Sequence, residues 1–291
     1  MRVVIIGANG QLAQDIGPAL KDKAHEVIGL THAQIEVAEL DSVRDALAPA
    51  RPDVVINTSA YHKVDVVEDE PDRAFAVNAT GPRNLALVCR ELDAALAHLS
   101  TDYVFSGSKG SPYVEEDAVD PVNLYGVSKA AGEMAVRYLW PRHWIVRTSG
   151  LYGVAGSSGK GGNFVETMLR LANEGKSIKV VNDQTLTPTS THSLARQIAA
   201  LIETGAYGTY HATCQGACTW YDFAAEIFSA CGLAPELSAQ TTAESGARAT
   251  RPTWSVLENA ALKSLQLDLM PDWQDALRAY LQEREVSRCS A

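Results

Sequence analysis

The chain has 291 residues, 46% apolar and 21% charged, a length and composition suited to one large α/β unit plus a smaller lobe. A formal net charge of −10 with no basic cluster to override it argues against a general nucleic-acid binder, because such a surface repels phosphate. No stretch approaches the roughly 18 apolar residues of a membrane span, and the opening MRVVIIGANG lacks the features of a secretory signal, so a cytoplasmic protein with no membrane partner is expected.

Short β-branched runs alternate with helical stretches through the first half. Arg2 to Ile6 reads as a continuous apolar strand and Gln11 to Lys21 as a helix. Strands follow at Val27 to Leu30, Asp53 to Asn57, Ala95 to Ser100 and Trp144 to Arg147. Between them lie helices around Val43 to Leu47, Ala79 to Leu92 and Leu124 to Leu139. Strands that are apolar on both faces, separated by helices, predict a doubly wound, Rossmann-like parallel sheet with right-handed crossovers. The second half opens on a glycine- and serine-rich loop, Val154 to Gly162. Helices are expected over Phe164 to Glu174, Ser193 to Glu203, Tyr221 to Cys231 and Trp273 to Arg284, with strands at Ile178 to Val181 and Thr209 to Ala212. The composition changes near residue 150. That places a dinucleotide-binding domain over 1–150, its sheet completed from within 176–212, and a smaller lobe over 151–291.

Five cysteines, Cys89, Cys214, Cys218, Cys231 and Cys289, are an odd number and disfavour a disulfide framework. Cys214 and Cys218 beside His211 lack a second pair to complete a tetrahedral zinc site, so no metal is expected.

Three segments carry chemistry. Gly7-Ala8-Asn9-Gly10-Gln11-Leu12-Ala13 joins the first strand to the first helix, where glycines let the backbone turn sharply against a pyrophosphate held at the helix N-terminus. Tyr125 and Lys129 stand four residues apart on a predicted helix and share a face. A lysine beside a phenol lowers the phenol's pKa, which makes Tyr125 a candidate general acid; without the glycine loop, a solvated helix face would explain the pair as well. Thr101 ends the fourth predicted strand, on the side where parallel sheets bind ligands, and would complete a Thr–Tyr–Lys set. A strand-end cap is its bland alternative.

With these segments the sequence resembles the dTDP-4-dehydrorhamnose reductase family, within the extended short-chain dehydrogenase/reductase superfamily. The blocks that carry the resemblance are IIGANGQLA, INTSAYHKVDVVEDEP, STDYVF, PVNLYGVSK, VRTSGLYG, GNFVETML, VVNDQTLTPT and RATRPTWSVLEN. The resemblance implies reduction of the 4-keto group of dTDP-4-dehydro-L-rhamnose by NADPH or NADH, with 151–291 mainly a substrate-binding lobe and a monomer or homodimer as the assembly. It assigns Gly7, Gly10, Gln11 and Leu12 to the pyrophosphate loop and Glu36 and Val37 to the adenine end. Ala60, Tyr61 and His62 line the cofactor, Tyr125 donates the proton, and Lys129 holds the nicotinamide ribose. Thr101, Asp102, Asn163, Gln184, Thr187 and Arg251 surround the nucleotide-sugar. Leu30-Thr31-His32 holds neither a carboxylate to repel a 2′-phosphate nor an arginine to attract one, so NADPH is expected to serve at least as well as NADH.

Arg251, with Arg248 second, is the expected grip on the substrate diphosphate, because a guanidinium donates two parallel hydrogen bonds to phosphate oxygens. One position departs from the family's pattern: Gly150 stands where tryptophan is common. The missing ring predicts an apolar gap, filled from Tyr152 or Tyr103, and a looser pocket open to related 4-keto-6-deoxy sugars. An epimerase or dehydratase on the same fold would need a second acid/base, and the segment around Thr101 offers only Asp102. A non-catalytic regulatory subunit need not retain Thr101, Tyr125 and Lys129 together.

Overall fold

The structure, a computed structural model, describes residues 1–155 and 162–289. Most of the loop expected over residues 154–162, and the Cys289 side chain, lie outside the described residues. Strand β1 (Arg2–Ile6) turns into α1 (Gln11–Lys21), followed by β2 (Glu26–Leu30), α2 (Leu40–Ala50) and β3 (Val54–Asn57). Two short helices, α3 (Val64–Val67) and α4 (Pro71–Phe75), and a π-helical turn (Ala76–Thr80) lead into α5 (Gly81–Glu91) and β4 (Ala95–Thr101). The first half closes with α6 (Leu124–Leu139) and β5 (His143–Thr148).

In the second half come β6 (Leu151–Tyr152), α7 (Phe164–Asn173), β7 (Ile178–Val181), β8 (Thr185–Leu186) and β9 (Thr189–Ser190). Helix α8 (Thr191–Leu201) and β10 (Gly208–His211) follow, then β11 (Cys218–Thr219) and α9 (Trp220–Ala230). Strand β12 (Leu237–Gln240), α10 (Ala260–Ser264) and α11 (Trp273–Cys289) complete the chain.

Six strands form one sheet in the order β10-β5-β4-β3-β1-β2, and every pairing is parallel. Alternating side chains divide the core between the two faces, as the period of two demands. Val3, Ile5, Val54 and Ile56 join a core with α1, α8 and the aromatic residues Phe223 and Tyr280. Val4, Ile6, Val55 and Leu96 join the opposite core with α2 and α5. The chain leaves β1 for β2 on one side and later adds β3 on the other. The crevice at the carboxyl ends of β1 and β3 is therefore the topological switch point where ligands bind in open parallel sheets.

Cys214 and Cys218 are buried in the core, and the His211 ring is held elsewhere, its Nδ1 lying 3.1 Å from the carbonyl oxygens of Tyr113 and Glu258. Among the described residues, no helix is long and apolar enough to cross a membrane.

A buried charge pair ties α6 to the sheet. Arg147 of β5 donates to both oxygens of Glu133 at 2.9 and 2.7 Å, and Ser100 of β4 donates to the same carboxylate. Both charged side chains are 1% exposed, so losing one partner strands the other without water. Glu133→Ala is expected to lower the unfolding free energy by about 3–5 kcal/mol. Urea denaturation with an unchanged m value would read this directly. A loss under about 1 kcal/mol, the range of an exposed pair, would show that the pair does not anchor α6.

Candidate active site

A cavity of about 1010 Å³ opens at the switch point and runs from the first glycine turn to α7 and α9. Gly7, Gly10, Gln11, Leu12, Glu36, Val37, Ala60, Tyr61 and His62 line its first half. Thr101, Asp102, Tyr125 and Lys129 line its middle, and Asn163 and Gln184 its far end.

The first half has the form of a dinucleotide cradle. Gly7 has φ +81°, and a Cβ there would lie 2.9 Å from Thr58 Oγ1, so only glycine admits this turn. Gly10 caps α1 without a side-chain hydrogen bond, which leaves the helix's first amides for a ligand. Gln11 Oε1 and Thr148 Oγ1 are buried on the cavity wall with no partner among the described residues, as polar atoms that await a ligand would be. Asn78, on the π-helical turn, accepts from Tyr61 N at 2.8 Å and donates to Tyr61 O at 2.9 Å. Its amide also donates to Ser128 Oγ of α6 at 3.0 Å, so one buried side chain ties the Tyr61 wall of the cavity to α6.

Helix α6 is placed by its N-cap. Asn123 Oδ1 accepts from Gly126 N at 2.8 Å, its amide donates to Thr250 O at 2.8 Å, and Glu68 accepts from Leu124 N at 2.9 Å. Gly126 then lets the helix lie against the turn after β4, because a Cβ at 126 would come within 2.2 Å of Tyr103 O. Tyr125 thereby meets Thr101, whose hydroxyl hydrogen-bonds the phenol. Thr101 itself donates to Asp102 Oδ1 at 2.9 Å, and Ser149 donates to Asp102 Oδ2 at 2.8 Å. Burial raises the Asp102 pKa above the usual carboxylate value against these hydrogen bonds from Ser255, Ser149 and Thr101.

Lys129 is 2% exposed and donates to Leu99 O at 2.6 Å. Burial lowers its pKa to about 8, while Glu133 one turn away holds it up. The sequence-based expectation was a phenol drawn down by this ammonium. Instead, burial pushes the Tyr125 phenol above its ordinary value, the Thr101 hydrogen bond opposes, and Asp102 adds to the rise. One of the ammonium's three protons is donated to the β4 carbonyl, and the side chain lines the cavity.

The far half of the cavity corrects three expectations. Thr187 is fully buried, donates to Gly216 O at 2.7 Å, and does not line the cavity. Arg251 donates to Asp65 Oδ2 at 2.7 Å and Ala249 O at 3.1 Å, and Arg248 pairs with Asp69. Neither arginine is among the residues that line the cavity. Gly150 lines the cavity, but a Cβ there would lie 2.8 Å from Leu186 Cδ1 and 3.2 Å from Pro188 Cα, so a side chain at this position is crowded. Tyr152 points into the core, 5.2 Å from the Tyr280 ring and 5.5 Å from Phe223.

Asn163 and Gln184 do line the wall, with their amides already donating to Gly153 O and Thr242 Oγ1 at 2.8 Å. Sequence reasoning missed the aromatic pair at this end, Phe164 and Trp220, whose ring centroids are 4.6 Å apart. It also missed Ser149 and Ser255, the partners of Asp102. Asn163 immediately before an apolar helix was the available signal for Phe164; Trp220 had none, since it lies 56 residues further on.

A doubly wound parallel sheet, a glycine cradle at its switch point and a Tyr–Lys pair on the adjoining helix define an extended short-chain dehydrogenase/reductase fold. The chain belongs to the RmlD substrate binding domain family, which its residues 1–286 match. It is 40% identical over 284 residues to a spore coat polysaccharide biosynthesis protein of Bacillus subtilis, covering 97% of this chain and 98% of that one. It is 41% identical over 283 residues to a dTDP-4-dehydrorhamnose reductase of Streptomyces griseus, covering 95% and 91%. Its fold matches a dTDP-4-dehydrorhamnose reductase of Bacillus anthracis solved in complex with NADP, with a TM-score of 0.92 at 38% identity, over 97% of this chain and 99% of that one.

Gly150 has φ +56°, the left-handed region, where a side chain is strained as well as crowded. Gly150→Ala is expected to lower the unfolding free energy by about 1–2 kcal/mol, measured by chemical denaturation. A neutral or stabilising result would mean that the turn relaxes and that a larger residue fits at 150.

Proposed function

We propose that the protein reduces the 4-keto group of dTDP-4-dehydro-L-rhamnose, or a close 4-keto-6-deoxy nucleotide-sugar, with NADPH. The observation that carries this reading is the position of Tyr125, Thr101 and Lys129. They line one cavity together with the glycine turn between β1 and α1 and the aromatic pair Phe164 and Trp220. Relatives named for this reaction support the substrate class, and the NADP bound by one of them supports the cofactor.

NADPH, when bound, would supply the hydride for the carbonyl carbon. Gly7, Gly10, Gln11 and Leu12 would hold its pyrophosphate, Glu36 and Val37 its adenosine end, and Ala60, Tyr61 and His62 the wall beside it. The protein's own chemistry is to protonate the oxygen that becomes an alkoxide. Tyr125 suits this because a phenol carries its proton at neutral pH and this one lines the cavity with Thr101 and Lys129. Thr101 orients the phenol and Asp102 orients Thr101. Lys129 would hold the cofactor ribose with its ammonium and stabilise the phenolate left after proton transfer.

Two measurements test these roles. Tyr125→Phe keeps the ring and removes the proton, so turnover should fall by roughly 10²–10⁴ while NADPH still binds. Turnover within a few-fold of wild type would take Tyr125 out of the reaction and favour a non-catalytic role for the fold. The Lys129 ammonium is lost as pH rises through about 8, so NADPH affinity should decline over that interval. Lys129→Met should bind more weakly at pH 7 and show no such decline. A break near pH 8 that survives in the variant would assign it to another group.

A further inference from the structure

We propose that Tyr103 is a second phenol of the active site, donating a hydrogen bond to the oxygen on the sugar carbon next to the carbonyl, and that Arg251 and Asp65 are its positioning residues. This rests on the reductase reading above.

Tyr103 lies two residues beyond Thr101, in the one-turn helix Asp102–Val104, and lines the cavity. Its ring meets that of Tyr125 edge to face, with centroids 5.9 Å apart and planes at 74°. Two phenols packed this way can serve two neighbouring oxygens of one sugar ring. Its backbone is fixed on both sides: Tyr103 N donates to Thr101 Oγ1 at 3.2 Å, and Tyr103 O lies against the Gly126 turn of α6.

The direction of its hydrogen bond follows from what Arg251 can do. The Arg251 side chain also lies beside the Tyr103 phenol, near enough to act on it. A guanidinium has donors only, so in any hydrogen bond between the two the phenol oxygen accepts, and its own proton is left to be given away. A cationic donor also polarises the phenol into a stronger donor. Arg251 is held in turn by Asp65, which accepts its Nη2 at 2.7 Å and the amides of Arg248 and Ala249 at 3.1 Å each. Arg251 does not line the cavity, whereas Tyr103 does, so the cation reaches a substrate through the phenol.

The test uses steady-state kinetics with the full-length enzyme, NADPH and dTDP-4-dehydrorhamnose. Tyr103→Phe should raise KM for the nucleotide-sugar on the order of tenfold, the value of one hydrogen bond of about 1.4 kcal/mol, and leave KM for NADPH unchanged. With an analogue lacking the hydroxyl next to the carbonyl, wild type and Tyr103→Phe should have equal KM. Arg251→Met should raise KM by a similar factor alone and add nothing in the Tyr103→Phe background, because residues acting through one contact are not additive.

An unchanged KM in Tyr103→Phe, or a penalty that persists with the deoxy analogue, overturns the proposal. An additive effect of Arg251→Met overturns the positioning role and gives the arginine its own hold on the substrate. If Arg251→Met does not fold, the analogue comparison still decides the role of Tyr103. Failure of the wild type to oxidise NADPH with any 4-keto nucleotide-sugar overturns the reductase reading and this inference together. A working wild type with an indifferent Tyr103→Phe overturns this inference alone.

Discussion

The close approach of α6 to the carboxyl end of β4 governs the rest of the site. Only a hydrogen fits at position 126, where a Cβ would come within 2.2 Å of Tyr103 O, so the helix lies directly on the turn that carries Thr101, Asp102 and Tyr103. The Asn123 cap fixes the start of the helix, and the Ser128–Asn78 hydrogen bond fixes its flank to the Tyr61 backbone. Tyr125 and Lys129 therefore hold a set position against the β4 end on one side and the cofactor wall on the other.

That approach also buries charge. Lys129 sits against the sheet with a backbone carbonyl as its partner, and Glu133, one turn on, is closed off by Arg147 and Ser100. Buried charges of this kind destabilise unless paired, so the stability of the molecule comes from elsewhere. The two apolar cores on either face of the sheet supply it, and their strands contribute alternate residues to each. The cavity wall carries polar side chains, and the cores that hold it are apolar.

Much of this was legible in the sequence. Helix α6 has the bounds expected from the sequence, and Asn123 caps its start. The central strands were legible as unbroken apolar runs, which are buried on both faces in a parallel sheet. The pairs β6–β9 and β8–β11 were not, since strands two residues long have no periodicity to read and exist only through tertiary contact. The π-helical turn at Ala76–Thr80 lay mostly ahead of the helix expected from Ala79, although its Asn78 holds the Tyr61 backbone. Arg251 shows the limit most clearly. Its residue type fitted a diphosphate, but an aspartate 186 positions earlier in the chain, Asp65, had already engaged it.

The central claim is that hydride enters the sugar carbonyl beside Tyr125. Its most direct test is to incubate the protein with dTDP-4-dehydrorhamnose and NADPH carrying deuterium at the transferring position of the nicotinamide, then locate the label in the product by NMR. The account predicts a 6-deoxyhexose nucleotide with one deuterium on C4, formed in step with NADPH oxidation. A product that keeps its C4 carbonyl and carries no deuterium would contradict it.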